Sequence, residues 1–255
     1  FQGDQLQIIC CATFEQVFEN IKRDPTVIGM LAIENTIAGS LLHNYDLLRM
    51  SGTTVVGEHK LHIQHSICCL PDDGWETVQE VHSHQVALMQ CRDFLANHPG
   101  IKAVEAEDTA GSAQYIAEHG CKGWAAICHA EAARHYGLKV LQDSIEDNKH
   151  NFTRFLVVSS PHKADFLRPL EHTCKSSLVF SLPHDEGSLS KVLTILSFYS
   201  INLTKIQSLP IIGHEWEYMF YVDVTYDNLT RYRQAIDAIM PLTKELKILG
   251  EYKEN

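Results

Sequence analysis

The feature that most constrains this chain is the alternation of short apolar runs with helix-patterned segments through about residue 160. Strands joined by helices pair into a sheet covered by helices, so the alternation predicts an α/β fold with a mostly parallel sheet. Thr13 and Gln16 form a capping-box pattern that starts the first predicted helix. The other main predicted helices cover residues 44–50, 85–96, 109–119 and 129–136. The predicted strands cover residues 6–11, 27–33, 53–58, 81–83, 102–106, 123–127 and 151–159.

The last part of the chain has a different element order. Residues 177–182, 188–199, 203–208, 215–226, 228–240 and 244–252 are predicted as strand, helix, strand, strand, helix and strand. This βαββαβ order is that of a ferredoxin-like plait. Periodicity breaks at Ser159-Ser160-Pro161-His162 and again at Arg168-Pro169, so the domain boundary is placed between Ser159 and Cys174. We therefore expect two domains, residues 1–165 and 174–255.

Composition narrows the function classes. Of 255 residues 45% are apolar, and the formal net charge is −11. That charge argues against a nucleic-acid or anionic-membrane surface, because both need an excess of basic residues. A single pocket can still bind a small anion, since the contacts are local. The chain opens at Phe1, and we expect a further segment to precede it.

The cysteines carry no metal or redox spacing. None of the eight forms a C-x-x-C pair, and Cys10-Cys11 and Cys68-Cys69 lie in apolar runs. They are interpreted as small buried hydrophobic residues in a reducing compartment. No stretch has the length of a membrane span and no signal peptide is evident, so a cytoplasmic location is expected.

Polar clusters follow several predicted strands, at the edge where α/β sheets bind ligands. Three of the clusters place Ser or Thr near a helix start, where free backbone N–H groups favour an anion. The implied ligand is a small carboxylated polyanion, and the alternative is ordinary helix capping. The clusters are residues 33–40, 81–85, 107–112, 125–131 and 151–155.

One arginine and the histidine spacings bear on which ligand the chain binds. Arg154 lies between two phenylalanines in an apolar strand, so it needs a carboxylate from either a ligand or the chain itself. The His59-x-x-His62-x-x-His65 and His82-x-His84 spacings do not place ligands on one strand face with an acidic or Cys partner. No G-x-G-x-x-G or P-loop is present. Neither a metal nor another cofactor is expected.

Several motifs in order along the chain resemble the prephenate dehydratase family. They are Glu34-Asn35-Thr36, Tyr45-Asp46-Leu47-Leu48, Val56-Gly57-Glu58, Val81-His82-Ser83-His84, Tyr136-Gly137-Leu138 and Asn151-Phe152-Thr153-Arg154-Phe155. The resemblance extends to the end of the chain, because that family commonly carries a C-terminal ACT domain with a βαββαβ plait. The family's glycine-containing loop after its first strand has no counterpart here, as expected if the first strand is missing.

The resemblance implies a catalytic domain of two lobes, similar to type II periplasmic binding proteins, with an active site between them. The implied reaction converts prephenate to phenylpyruvate, water and carbon dioxide in L-phenylalanine biosynthesis, without a cofactor. By resemblance the catalytic residues are Thr153, with the critical hydroxyl, Arg154, which would hold the pyruvyl carboxylate, and Phe155. The substrate-binding residues implied are Asn35, Thr36, Ser83, Thr109 and Asn151.

The resemblance also implies L-phenylalanine as an effector of the ACT domain, in a homodimer or homotetramer. The implied effector residues are Gly187, Ser188, Leu189, Asn202, Leu203, Gln207, Ser208, Leu209 and Pro210. Gln207 and Leu209 replace the Glu and Arg of the family's Glu-Ser-Arg-Pro motif, so we expect weakened phenylalanine binding. Two alternatives stay open, an arogenate dehydratase and a ligand-sensing protein without catalysis.

Overall fold

The computed structural model describes residues 6–167 and 173–254. The chain divides into two compact units. Unit 1 comprises Phe1–Leu61 and Thr153–Asn255, and unit 2 comprises His62–Phe152. The predicted division into residues 1–165 and 174–255 stays a prediction. Part of its boundary segment, including Arg168-Pro169, lies outside the described residues.

Helices and strands alternate along most of the described chain. The helices are α1 (Phe14–Arg23), α2 (Leu42–Ser51), α3 (Gln85–Met89), α4 (Arg92–Ala96), α5 (Thr109–His119), α6 (Ala130–His135), α7 (Pro161–Leu167), α8 (Ser188–Phe198) and α9 (Leu229–Ile239). The strands are β1 (Ile28–Asn35), β2 (Gly39–Ser40), β3 (Thr54–His62), β4 (Ser66–Cys69), β5 (Glu80–His84), β6 (Lys102–Ala106), β7 (Trp124–Cys128), β8 (Lys139–Gln142), β9 (Phe152–Ser159), β10 (Lys175–Ser181), β11 (Asn202–Pro210), β12 (Tyr218–Thr225) and β13 (Glu245–Tyr252).

Unit 1 is built on a sheet with strand order β11-β12-β10-β13-β3-β9-β1-β2. β1 runs antiparallel to both β2 and β9, and β13 runs parallel to β3. A core that includes Leu31, Ile33, Leu48 and Leu156 packs beside these strands. The antiparallel β1–β9 ladder brings residues near 35 against residues near 153, and this places two predicted site motifs side by side.

The C-terminal part of unit 1 has the predicted βαββαβ order. Its four strands lie in the spatial order β11-β12-β10-β13, and β10 is antiparallel to both β12 and β13. Phe180, Val192, Tyr232 and Ile239 are buried together between this sheet and helices α8 and α9. Alternating apolar positions in the strands and a helical apolar stripe therefore produce one shared core.

Unit 2 contains a mixed sheet with strand order β6-β5-β7-β4-β8. β5 is parallel to β6 and β7, whereas β4 is antiparallel to β7 and β8. The prediction of a mostly parallel sheet is therefore wrong. Strand direction depends on how distant segments return to the sheet, and local apolar patterns do not encode it.

The helix ends with clear capping signals were predicted well. The Thr13 hydroxyl accepts from the Gln16 N–H, and the Gln16 side chain accepts from the Ala12 N–H. β6 and α5 have the predicted bounds. Residues 85–96 form two helices instead of one, and the short elements β8 and α7 were not predicted.

The predicted strand at residues 6–11 is wrong, because this segment has no ladder partner among the described residues. Cys10 is consequently exposed and Cys11 half-buried, while Cys68 and Cys69 are buried in β4 as expected. All eight cysteines, which lie within residues 6–167 and 173–254, are free thiols. Within the described residues, no helix combines the length and apolar character needed to cross a membrane.

Gly250 controls how closely β13 approaches β3. It pairs with Val55, and a Cβ at position 250 would lie 2.6 Å from the Val55 Cβ and still closer to the Val55 carbonyl oxygen. We expect Gly250→Ala to lower the free energy of unfolding by at least about 2 kcal/mol, because backbone has to move. Urea unfolding measures this change. Gly100→Ala, which adds a methyl group into open space, is the control, and an equal effect of both substitutions would contradict the account.

Candidate active site

The centre of the site is a side-chain pair across the β1–β9 ladder. Asn35 and Thr153 are directly opposite each other, and Asn35 Nδ2 donates to Thr153 Oγ1 over 3.0 Å. Asn35 Oδ1 accepts from the backbone N–H groups of Ile37 and Ala38, at 2.9 and 2.8 Å. These bonds fix the orientation of the amide. Because Asn35 donates to the Thr153 oxygen, the hydroxyl proton of Thr153 is directed away from Asn35 and is available to another acceptor.

Two further predicted residues lie near this pair. Thr36 follows Asn35 in the turn between β1 and β2 and is exposed. Phe155 is half-buried in β9, two residues after Thr153, and therefore lies on the same strand face as Thr153. Unit 1 thus places Asn35, Thr36, Thr153 and Phe155 on or next to the β1–β9 ladder, with Asn35 in contact with the Thr153 hydroxyl.

Arg154 differs from its predicted role. As the neighbour of Thr153 in a strand, it points to the opposite face. Its Nε donates to Glu58 at 2.7 Å, Nη1 donates to Asp223, and Nη2 donates to the Tyr252 hydroxyl at 3.1 Å. The expectation that Arg154 holds a substrate carboxylate is therefore corrected. Carboxylates of the chain itself bind the guanidinium, which was the structural alternative.

A second cation completes this buried network. Lys175 Nζ lies 2.9 Å from Glu58 Oε1, and the Ser177 hydroxyl donates to Asp223 over 2.5 Å. Burial raises the pKa of the Glu58 carboxyl, but the hydrogen bond from Lys175 and the charge of Arg154 outweigh burial, so the pKa lies below its usual value. Burial lowers the pKa of Arg154, and the Asp223 and Glu58 charges more than reverse this. Both groups are therefore ionised near neutral pH.

Unit 2 contains the remaining predicted substrate residues, and two of them are committed to its interior. Ser83 is fully buried and donates to the Ile127 carbonyl at 2.6 Å. Asn151 is also fully buried, and its Nδ2 donates to Gln90 Oε1, which His65 Nε2 also contacts at 2.8 Å. Each side chain satisfies polar groups of its own unit, and both residues stay predicted substrate residues.

Thr109 is half-buried at the first position of α5, directly after the N-cap residue Asp108. A cavity of about 360 Å³ adjoins this helix and is lined in part by Glu107, Asp108, Tyr115 and Trp124. Two carboxylates on the wall repel a dianion, so this cavity is a poor site for a dicarboxylate. Thr109 itself stays a predicted substrate residue.

The histidines of the two suggestive spacings make other contacts. His62 contacts the Lys149 carbonyl oxygen, and His65 contacts Gln90. His82 stacks on Trp124, and His84 accepts from the Val86 N–H at the start of α3. Among the described residues, no three His, Cys, Asp or Glu side chains are grouped as a metal site.

The predicted effector residues all lie in the βαββαβ part of unit 1. Gly187 has a φ of 74° and precedes α8, so it adopts the left-handed conformation that glycine favours. Leu209 is buried in β11, whereas Asn202 is exposed at the start of that strand. The remaining residues lie in the first turn of α8 or along β11, and they are Ser188, Leu189, Leu203, Gln207, Ser208 and Pro210.

Several residues of the site region are not predicted from the sequence. Glu58 belongs to a family motif but has no predicted role, and Lys175, Asp223 and Tyr252 belong to no predicted cluster. The signal that identified Arg154, a charge inside an apolar strand, also applies to Lys175 and Asp223. Gln90, which binds Asn151 and His65 from the turn after α3, carries no such signal because an isolated glutamine in a segment of helical periodicity is common.

The geometry defines an α/β protein whose polar site centres on an amide-held hydroxyl, with no nucleophile–base pair at Thr153 among the described residues. The sequence matches the model of the family described as prephenate dehydratase over residues 1–163. The chain therefore belongs to the prephenate dehydratase family.

Individual relatives agree with this membership. The chain is 34% identical to "Arogenate dehydratase/prephenate dehydratase 6, chloroplastic" of Arabidopsis thaliana over 96% of this chain and 63% of that protein. It therefore spans less than two thirds of that relative's length.

Solved structures share the fold. A prephenate dehydratase from Arthrobacter aurescens in complex with L-Phe has a TM-score of 0.81 and 26% identity, covering 96% of this chain and 80% of that one. GqqA, described as a novel type of quorum quenching acylase, has a TM-score of 0.83 and 29% identity, covering 96% and 88%.

The buried network predicts a specific pH dependence of stability. Glu58→Gln leaves Arg154 and Lys175 with one fewer buried anion, so we expect it to lower the free energy of unfolding near pH 7 by about 3 kcal/mol. The folded-state pKa of Glu58 is lowered, so its stabilisation exists above the ordinary pKa and is lost as the pH falls through the folded-state value. Urea unfolding near pH 7 and near pH 3 should show the two proteins converging in acid.

The exposed Glu76 gives the matched control, because Glu76→Gln should leave the stability unchanged at both pH values. A Glu58→Gln difference that stays constant from pH 7 to pH 3 would show that the charge of Glu58 is not what stabilises the network.

Proposed function

We propose that this chain is a prephenate dehydratase, which converts prephenate to phenylpyruvate, water and carbon dioxide in L-phenylalanine biosynthesis. Family membership supports the reaction class. The observation that carries the proposal is the Asn35–Thr153 pair, because Thr153 accepts from Asn35 and its own hydroxyl proton is therefore available for donation to a substrate. No cofactor is required in this proposal.

Beyond binding prephenate, the proposed reaction requires mainly a proton donor for the leaving oxygen. The bond to the ring carboxylate breaks and releases carbon dioxide, its electron pair enters the ring, and the ring C–O bond breaks as the ring becomes aromatic. The departing hydroxide takes a proton from the Thr153 hydroxyl and leaves as water, and solvent returns a proton to Thr153. Aromatisation supplies the driving force, so the enzyme lowers the barrier chiefly by stabilising the leaving oxygen.

Thr153 supplies that stabilisation in the proposal. A free Thr hydroxyl is a weak acid, but a fixed hydroxyl that already accepts from Asn35 donates its own proton more strongly. Donation where negative charge develops lowers the barrier without binding the ground state equally well. The substrate carboxylates are assigned to Thr36 and to backbone N–H groups, since Arg154 is bound by Glu58 and Asp223.

Three alternatives differ in what they require. Arogenate has an amino group in place of the keto oxygen and undergoes the same bond changes, and the Arabidopsis relative carries both activities in its name. The likeness to GqqA suggests an acylase, but acyl transfer through Thr153 needs a base, and the Asn35 amide donates to Thr153 rather than accepting its proton. A ligand-sensing protein would bind prephenate without turnover.

The finer architecture also belongs to the proposal. The catalytic domain is proposed to have two lobes like a type II periplasmic binding protein, and the βαββαβ segment to be an ACT domain that binds L-phenylalanine. The A. aurescens prephenate dehydratase in complex with L-Phe supports this effector. Phe198, Ile212 and Trp216 are exposed large apolar residues of that segment, and they support assembly into a homodimer or homotetramer.

Removing the Thr153 hydroxyl tests the catalytic assignment. We expect Thr153→Ala to lower kcat for prephenate by about 100-fold or more, because the leaving oxygen loses its hydrogen bond. Thr153→Ser keeps the hydroxyl and should stay within about tenfold of wild type. Phenylpyruvate is measured by chromatography, with arogenate and an N-acyl homoserine lactone assayed in parallel.

Normal folding of each variant is checked by circular dichroism. Full activity of a folded Thr153→Ala protein would remove Thr153 from the mechanism. Turnover of the lactone alone would reject the dehydratase proposal in favour of an acylase.

Phenylalanine binding tests the proposed effector site. We expect calorimetry to detect binding of L-phenylalanine at millimolar concentration, weakened because Gln207 and Leu209 lack the charges of the family motif. D-phenylalanine is the matched control and should give less heat. Absence of heat with the L-enantiomer would reject the effector site.

A further inference from the structure

Two pairs of opposite charges lie on facing strand ladders of unit 1. Glu34 and Arg154 are directly opposite each other on β1 and β9, and Lys205 and Asp223 are directly opposite each other on β11 and β12. Lys205 Nζ lies 2.6 Å from Glu34 Oε1, and Arg154 Nη1 donates to Asp223. These four residues form an ionic clamp with two positive and two negative charges.

Lys205 of the clamp also binds the β1–β2 hairpin, which contains Asn35. Lys205 Nζ donates to Ser40 Oγ over 2.9 Å, and Ser40 is the cross-strand partner of Glu34. Lys205 therefore contacts both arms of the β1–β2 hairpin. The Ile37 and Ala38 N–H groups that orient Asn35 lie in the turn between those arms.

The four side chains of the clamp are sufficiently shielded from water for their ion pairs to hold the strands in position. The Lys205, Arg154 and Asp223 side chains are about one-tenth exposed, and Glu34 is 35% exposed. Ion pairs that are largely removed from water are screened little by salt, and loss of one partner leaves an uncompensated charge. Lys205 and Asp223 therefore resist displacement of Glu34 and Arg154.

Each clamp residue on the β1–β9 ladder is the immediate neighbour of a site residue. Glu34 precedes Asn35 and Arg154 follows Thr153. The Glu34–Arg154 pair and the Asn35–Thr153 pair are therefore consecutive cross-strand pairs of the β1–β9 ladder. A displacement of the Glu34–Arg154 pair also displaces the Asn35–Thr153 pair, because the two pairs are joined by covalent backbone and by the hydrogen bonds of the ladder. Displacements of about 1 Å at a reacting group can reduce rates by about 100-fold.

We propose that Lys205 and Asp223 are positioning residues for Thr153, supplied by the βαββαβ segment to the Asn35–Thr153 pair. The inference rests on the proposed dehydratase function for its kinetic consequence. Its geometric part is independent of the reaction. Lys205 acts by fixing the β1–β2 hairpin and Asp223 by fixing Arg154, without contact of either residue with substrate.

Substitution of Lys205 tests the kinetic consequence in the full chain. Lys205→Met is expected to lower kcat for prephenate by about 10- to 100-fold while KM stays within about threefold, because Thr153 is misplaced and binding groups are kept. Lys205→Arg retains the charge and should recover kcat to within about threefold of wild type. Lys122→Met, at an exposed lysine of unit 2, is the control. A folded Lys205→Met protein with wild-type kcat would overturn the proposal.

Hydrogen exchange tests the geometry without reference to activity. The Ile37 and Ala38 amides are expected to exchange at least about tenfold faster in Lys205→Met, while the amides of α5 in unit 2 are unchanged. Unchanged exchange at these two amides would overturn the clamp. If Lys205→Met unfolds, Ser40→Ala removes one of the two hairpin contacts, and an increase below about twofold in that variant would equally overturn it.

The two measurements separate the two proposals. A wild-type protein that turns over neither prephenate nor arogenate rejects the proposed function, whereas exchange at Ile37 and Ala38 that is faster in Lys205→Met than in that wild-type protein still supports the clamp.

Discussion

The rung that joins Asn35 to Thr153 across the β1–β9 ladder is the interaction on which the account depends. A threonine hydroxyl is a weak acid, and its value in catalysis depends on the direction of its proton. Asn35 determines this direction, because its Oδ1 accepts from two backbone N–H groups and its Nδ2 donates to the Thr153 oxygen. The antiparallel pairing of two strands far apart in sequence thus converts two common residues into an oriented donor.

On the face of β9 opposite to Thr153, Arg154 belongs to a network of buried charged side chains. Arg154, Lys175, Glu58 and Asp223 are nearly buried and balance one another in charge. Buried ion pairs are often no more stabilising than apolar packing of similar volume, so the main effect of this network is on geometry. The network ties β9 to β3, β10 and β12, and so holds the strand that presents Thr153.

Part of this arrangement was predictable from local sequence. The Thr13 cap, the α5 bounds and the βαββαβ order follow from capping residues and apolar periodicity. Asn35, Thr36, Thr153 and Phe155 were found together because their motifs recur in a known family. The partners of Arg154 were not predictable, because Glu58 and Asp223 lie 96 and 69 residues away along the chain. Ser83 and Asn151 are implied as site residues by the family motifs, and local sequence does not show the buried polar groups that their side chains satisfy here.

A double-mutant cycle on kcat between Asn35→Asp and Thr153→Ala tests the central claim most directly. Aspartate keeps the oxygen that binds Ile37 and Ala38 but replaces the donor to Thr153 with an acceptor, which turns the hydroxyl proton toward residue 35. We expect Asn35→Asp to lower kcat for prephenate by about 100-fold in wild type and to change it by less than about twofold in Thr153→Ala. Equal losses in both backgrounds would contradict it, because Asn35 would then act independently of the Thr153 hydroxyl.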